Sequence, residues 1–260
     1  MDTQRIMDHV RRIEKENGVK ALWVCETGSR AWGFPSPDSD YDVRMIYTRP
    51  KNDYLTVWES KDTIEYMSDD RELDISGWDL RKAMGLLWKS NASMFERLSS
   101  TVIYDWADSE IIDALNNLSQ QYFSPKAALH HYLNMGIKAF ANVQGKKYRL
   151  KRLFYALRAA LCCRWILEYQ TAPPMRIQAL LDILDINADL KERILSLIEL
   201  KSGKGEAYEH QGEREVFTFI DSTFEYTKAS EKRIPANKGD VKALNQFFQD
   251  TLNRLEGRSL

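Results

Sequence analysis

Gly28-Ser29-Arg30-Ala31-Trp32-Gly33-Phe34-Pro35-Ser36-Pro37-Asp38-Ser39-Asp40-Tyr41-Asp42 links two apolar runs and holds most of the residue types that do chemistry. Just ahead of it, Leu22-Trp23-Val24-Cys25 is a continuous apolar run inside Lys20 to Glu26, the pattern of a buried strand. Just after it begins Tyr41 to Tyr47, which reads as a second strand. The linking loop is dense in Gly, Pro, Ser and Asp, residues that favour turns. Gly28 follows the first strand, where a side chain would block close backbone approach to a ligand. Ser29 adds a hydroxyl, and the next residues open a short helix whose free N–H groups attract phosphate. Asp40 and Asp42 stand two apart at a strand start, so both carboxylates are expected on one face. They repel unless a cation sits between them. Hard oxygen ligands that leave room for phosphate oxygens suit Mg²⁺ or Mn²⁺.

A third carboxylate on a neighbouring strand would complete such a site. Arg71-Glu72-Leu73-Asp74-Ile75-Ser76 offers Asp74, flanked by Leu73 and Ile75 that face a core. Glu72 shares its parity and is the alternative. Asp79, past Gly77, reads as a helix N-terminal residue.

Working outward, Asp2 to Asn17 has Ile6, Val10 and Ile13 at helical spacing, with Gly18 as its stop. Thr63 to Met67 and Glu72 to Ile75 form a predicted hairpin, Trp78 to Lys89 a helix, and Val102 to Tyr104 a last short strand. From Ser109 the pattern is helix after helix: Pro125 to Asn142, Lys146 to Tyr169 ended by Pro173-Pro174, Met175 to Leu184, Asp189 to Lys201, Glu213 to Ser230 and Asp240 to Glu256. The predicted fold class is therefore α+β, with an N-terminal mixed-sheet domain over residues 1–115 and a C-terminal helical domain over 116–260.

Among 260 residues the net charge is −1, but the charges are segregated. Ala114 to Leu167 holds nine Lys or Arg and no Asp or Glu, which suggests a basic surface for a polyanion such as RNA. Within it Lys147, Lys151, Tyr155 and Arg158 are spaced by four, four and three, so they line one face of the predicted helix. Three cysteines, two of them adjacent, exclude a disulfide scaffold and a four-thiolate zinc site. Cys162-Cys163 lies among Leu161, Trp165 and Ile166 and reads as buried packing. His9, His130, His131 and His210 lack metal spacing, and Gly203-Lys204-Gly205 lacks the upstream glycine of a phosphate loop. No apolar run is long enough to span a membrane, and the N-terminus lacks a signal-peptide core, so a reducing, cytosolic protein is expected.

At Gly28-Ser29 and Asp40-Tyr41-Asp42 the sequence resembles the DNA polymerase beta-like nucleotidyltransferase superfamily, whose signature is Gly-Ser after the first strand and then Asp-x-Asp. The longer form, with Gly33 and Ser39, looks most like the YcgL/RlaP-type bacterial nucleotidyltransferases. Trp78-Asp79-Leu80-Arg81-Lys82, Asn91 with Glu96, and Tyr155-Ala156-Leu157-Arg158 with Trp165 extend the likeness into the helical half, and it thins after about residue 210. The resemblance implies a mixed sheet flanked by helices, two Mg²⁺ (or Mn²⁺) ions and an NTP donor such as ATP. It also implies an acceptor hydroxyl, and the RlaP name refers to a proposed role in RNA repair.

The combined expectation is a two-metal nucleotidyltransferase. Asp40, Asp42 and Asp74 are its catalytic and metal residues; Gly28, Ser29, Lys151, Tyr155 and Arg158 bind nucleotide; Lys147 and Arg149 bind the acceptor. An RNA or tRNA 3′ end is the favoured acceptor. Nucleotidylation of a small molecule or of a protein side chain, and a non-catalytic RNA-binding module, are the alternatives.

Overall fold

Asp2 accepts a hydrogen bond from the Arg5 backbone and starts helix α1 (Thr3–Asn17), while Gly18, at φ +61°, closes it. The Ile6, Val10 and Ile13 face of α1 is buried. These assignments come from a computed structural model, which describes residues 1–143, 145, 147–236 and 239–256. After α1 come β1 (Lys20–Glu26), the five-residue α2 (Gly28–Trp32), β2 (Tyr41–Thr48), β3 (Thr63–Met67), β4 (Leu73–Asp79), α3 (Leu80–Trp88), α4 (Ala92–Leu98), β5 (Ile103–Trp106) and α5 (Ser109–Tyr122). Asp79 caps α3 through the Arg81 N–H, the helix-starting role expected of it.

The five strands form one mixed sheet in the order β3-β4-β2-β1-β5. The pair β2 and β4 is parallel and the other pairs are antiparallel. Alternation along the strands sorts the side chains onto two faces. Val43, Met45, Tyr47, Leu73, Ile75 and Ile64 join Ile6, Val10 and Ile13 of α1 in one core. Asp42, Arg44, Asp74 and Ser76, at the intervening positions, stand on the opposite face.

The remaining elements are α6 (Pro125–Ala141), β6 (Tyr148–Arg149), α7 (Leu150–Tyr169), α8 (Ile177–Ile183), α9 (Ala188–Ser202), β7 (Glu209–His210), α10 (Arg214–Ser230) and α11 (Val241–Glu256). The chain divides into two compact units that interleave along the sequence, whereas the sequence reading cuts it once, after residue 115. One unit comprises Met1–Gly28, Asp40–Tyr122 and Lys238–Leu260; the other comprises Ser29–Ser39 and Phe123–Asn237. Helix α11 belongs to the sheet-containing unit because its side chains find partners there. Phe248 meets Tyr54 edge-on at 5.1 Å, and Arg254 pairs with Asp108 and Glu110, each at 2.6 Å. In the helical unit α7 is buried nearly all round, and Cys162 and Cys163 are fully buried in it, as their apolar neighbours suggest. Among the described residues, no helix is long and apolar enough to cross a membrane.

Two of the helical expectations change. Helix α7 starts at Leu150, and Lys147 precedes a two-residue strand in which Arg149 pairs in register with Glu209. Buried Tyr148 fixes this start: its hydroxyl donates to the Gly212 carbonyl at 3.0 Å, and the following Leu150 N–H reaches Tyr208 O. Lys147 therefore does not share a helical face with Lys151, Tyr155 and Arg158; Lys146 lies outside the described residues.

Helices α6, α7 and α10 meet at Gly136, where an added Cβ would lie 2.4 Å from the Phe224 ring and 2.8 Å from Ala159 Cβ. Gly136→Val is expected to lower the unfolding free energy by about 2–3 kcal/mol, read by urea denaturation, because a close-packed helix crossing has no room for the added atoms.

Candidate functional site

Asp42 and Asp74 are direct partners across the parallel β2–β4 ladder. Leu73 and Ile75 point into the core, as do Val43 and Met45, so both carboxylates emerge on the other face of the sheet. The backbone of Asp42 is held on both sides. Its N–H donates to Glu26 Oε1 at 2.7 Å, and its carbonyl accepts from the Thr27 N–H at 2.9 Å and the Thr27 hydroxyl at 3.1 Å. Glu26 is only 1% exposed, and its other carboxylate oxygen accepts from the Tyr104 hydroxyl. Gly28 packs flush against the Asp42 side chain: it sits at φ +62°, and a Cβ there would fall 2.0 Å from Asp42 Oδ2. A glycine is therefore required both by the backbone and by the carboxylate it abuts.

Arg44 is the partner of both carboxylates that the sequence reading missed. Its Nη2 lies 2.8 Å from Asp42 Oδ1 and 3.0 Å from Asp74 Oδ2, and its Nη1 donates to the carbonyls of Val43 and Asp74. The signal was the continued alternation Asp40, Asp42, Arg44, since every second residue of a strand shares a face. Buried Arg97 lies behind this row. It donates to the carbonyls of Met45 and Ser76, stacks on Trp78, and has its pKa pushed down to about 9 by burial.

Asp40 lies just ahead of β2. Glu72 precedes β4 and is exposed, its nearest cation being Arg5 at 3.8 Å. Among the described residues, no three His, Cys, Asp or Glu side chains converge as a metal cluster. The pair Asp42 and Asp74 nonetheless fits a cation, because a positively charged nitrogen already sits within 3.0 Å of both carboxylates. Beside the pair, Arg44, Asp74 and Ser76, with Glu65, Tyr66 and Met67 of β3, line an open cleft of about 520 Å³.

The middle of the motif loop, Ser29–Ser39, is built into the helical unit. Ser29 is buried, and its hydroxyl bonds to that of Ser39 at 3.1 Å. Ser39 donates to Glu206, whose carboxylate also receives both contacts of Lys151, at 2.8 and 2.9 Å. The Glu206 N–H caps Asp38 Oδ1 at 2.8 Å. Trp32 takes the Arg158 guanidinium on its face at 4.5 Å and the edge of Tyr155 at 5.0 Å, and Phe34 stacks on Phe154 at 4.8 Å. Arg158 is thus 1% exposed, with its Nε toward the Met175 carbonyl. Lys201, 2% exposed, donates to the Ser36 hydroxyl at 2.9 Å, and burial pushes its pKa down to about 8. Lys147 and Arg149 are exposed.

The chain matches, over residues 3–250, the family described as RlaP, the RNA repair pathway DNA polymerase beta family. It is 38% identical over 255 residues to the YcgL protein of Bacillus subtilis (strain 168), covering 97% of each chain. Two solved structures resemble it loosely. One is a spectinomycin adenyltransferase from Enterococcus faecialis with ATP and spectinomycin (12% identity, 87% of this chain and 100% of that one, TM-score 0.48). The other is a nucleotidyltransferase-like protein from Exiguobacterium sibiricum 255-15 (11% identity, 94% and 78%, TM-score 0.30).

Two outcomes follow from this geometry. Gly28→Ala is expected to cost about 3–4 kcal/mol in the wild-type chain but only about 1–2 kcal/mol in an Asp42→Ala background, where the backbone penalty alone remains. Denaturant titration of the four chains measures the difference. For Lys201 the folded pKa lies below the ordinary value near 10.5, so below about pH 8 the buried charge lowers stability. Between about pH 8 and 10.5 the unfolded chain binds a proton that the folded chain does not, and stability rises with pH. Lys201→Met should remove that rise, as read from unfolding free energies across the window.

Proposed function

Because the chain belongs to the RlaP family of the DNA polymerase beta type, we propose that it is a metal-dependent nucleotidyltransferase that moves an NMP from an NTP to a hydroxyl, with an RNA or tRNA 3′ end as acceptor. The observation that carries this reading is the in-register pair Asp42 and Asp74, with Gly28 flush against the first of them. A carboxylate pair held in register on neighbouring strands, and already bridged by one positive charge, is a preformed receptor for divalent charge.

Asp42 and Asp74, with Asp40 ahead of the strand, are the residues that would hold two Mg²⁺ or Mn²⁺ ions. When bound, these ions supply charge stabilisation to the attacking and leaving oxygens of an in-line displacement. The acceptor oxygen forms its bond to the α-phosphorus as the bond to the β-phosphate oxygen breaks, releasing pyrophosphate. Asp74 opens onto the cleft that Ser76 and Glu65 also line, and in this reading it is the carboxylate that takes the hydroxyl proton. Ser39, Glu206 and Lys151 fix the ends of the Ser29–Ser39 segment, and Arg158 and Tyr155 clamp its Trp32. Arg158 therefore acts as a positioning residue for the Gly-Ser motif, and Lys151 and Tyr155, which are less buried, are the proposed nucleotide contacts of this unit. The RNA acceptor is supported by the family's description and by exposed Lys147, Arg149 and Arg152 around the start of α7.

Purified protein incubated with each α-labelled NTP, Mg²⁺ or Mn²⁺ and total RNA tests this. The expected result is label on RNA, lost in Asp42→Asn. Asp74→Ala is expected to keep NTP binding while kcat/KM falls on the order of 10³-fold, about 4 kcal/mol of transition-state stabilisation. Label on a small molecule or on protein would overturn the RNA acceptor. Full activity in Asp42→Asn would overturn the site itself.

A further inference from the structure

The row of residues next to the carboxylates has a device in it. Arg44 of β2, Ser76 of β4 and Glu65 of β3 are direct partners across three adjacent strands, so they share one face. The row beside them, on the same face, is Asp42, Asp74 and Met67. Arg44 does not stay in its own row. Its guanidinium leans back two residues, and one nitrogen, Nη2, serves both carboxylates. Glu65 stands at the other end of its row, exposed and without an ion pair among the described residues. Both Arg44 and Glu65 line the cleft of about 520 Å³, so the two side chains border the same open space.

A divalent ion and a guanidinium nitrogen cannot occupy the same point between two carboxylates, since like charges at that distance repel strongly. We propose that Arg44 is an exchangeable counter-ion: it holds Asp42 and Asp74 together in the metal-free protein, and passes across Ser76 to Glu65 when a divalent ion binds. Metal entry then exchanges one cation for another instead of filling an open acidic site. The carboxylates never face each other unscreened, and metal affinity is lower than the bare pair would give. Glu65 strengthens metal binding without being a ligand, because it receives the displaced arginine.

The inference rests on Asp42 and Asp74 binding a divalent ion, and Asp42→Asn is the control for that premise. The full chain is titrated with Mn²⁺ alone, free Mn²⁺ is read by electron paramagnetic resonance, and metal-free melting is followed in parallel. Arg44→Gln is expected to bind Mn²⁺ about tenfold more tightly and to melt at a lower temperature without metal. Glu65→Gln is expected to bind about threefold more weakly with unchanged metal-free melting, and to have no effect in an Arg44→Gln background. Equal or weaker Mn²⁺ binding by Arg44→Gln, while Asp42→Asn abolishes binding, would overturn the exchange and leave the metal site standing. A Glu65→Gln effect that persists without Arg44 would show direct attraction to the ion and overturn the hand-over. Wild-type protein that binds no Mn²⁺, or binding untouched by Asp42→Asn, would overturn the metal site and the exchange together.

Discussion

Two carboxylates directly opposite each other on parallel strands repel, and the rest of the sheet is arranged so that they stay there. Arg44 screens them, 2.8 and 3.0 Å away. Glu26 and Thr27 pin the Asp42 backbone, and Gly28, having no Cβ, leaves the room that its carboxylate occupies. Beneath, Val43, Met45, Leu73 and Ile75 lock the β2–β4 register into the core against α1, and a slip of one residue in either strand would turn that strand's aspartate inward. Placement of charge on one face is thus secured by burial on the other.

Much of this is legible in the sequence because it follows from periodicity. The strand parity that separates Asp42 from Val43, and Asp74 from Ile75, is a two-residue repeat that needs no tertiary information. The spacing of Ile6, Val10 and Ile13 likewise marks the buried face of α1. What is not legible is long-range pairing. Asp42 meets Asp74 only because β2 and β4 are parallel neighbours with β3 on the far side, and Arg44 bridges them only in that register. Arg44 was visible as the next alternate residue after Asp42, but an arginine among acids on a strand reads equally well as surface.

The acid-free stretch from Ala114 to Leu167 shows a second limit. Counting charges treats every residue as surface, yet α7 is largely an interior helix whose one acid, Glu168, lies at its exposed C-terminal end. Its Arg158 is covered by Trp32, and its Lys151 is matched by Glu206, an acid more than fifty residues further on. The absence of acids therefore reflects burial as well as basic surface, and the exposed bases of the stretch include Lys138, Lys147, Arg149 and Arg152. The motif loop carries the same lesson. Its Gly-Ser and Asp-x-Asp ends read as chemistry, and Trp32, Phe34 and Ser36 lie between them. In the structure those three are the anchors, held by Arg158, Tyr155, Phe154 and Lys201.

Nucleotidyl transfer at this face of the sheet requires that Asp42 and Asp74 together receive a divalent ion. Crystals grown with Mn²⁺ and a non-hydrolysable ATP analogue, measured near the manganese absorption edge, test it without relying on turnover. The predicted result is an anomalous peak within about 2.0–2.4 Å of a carboxylate oxygen from each of Asp42 and Asp74. A peak bound to neither aspartate, or none while the analogue is in place, would contradict it.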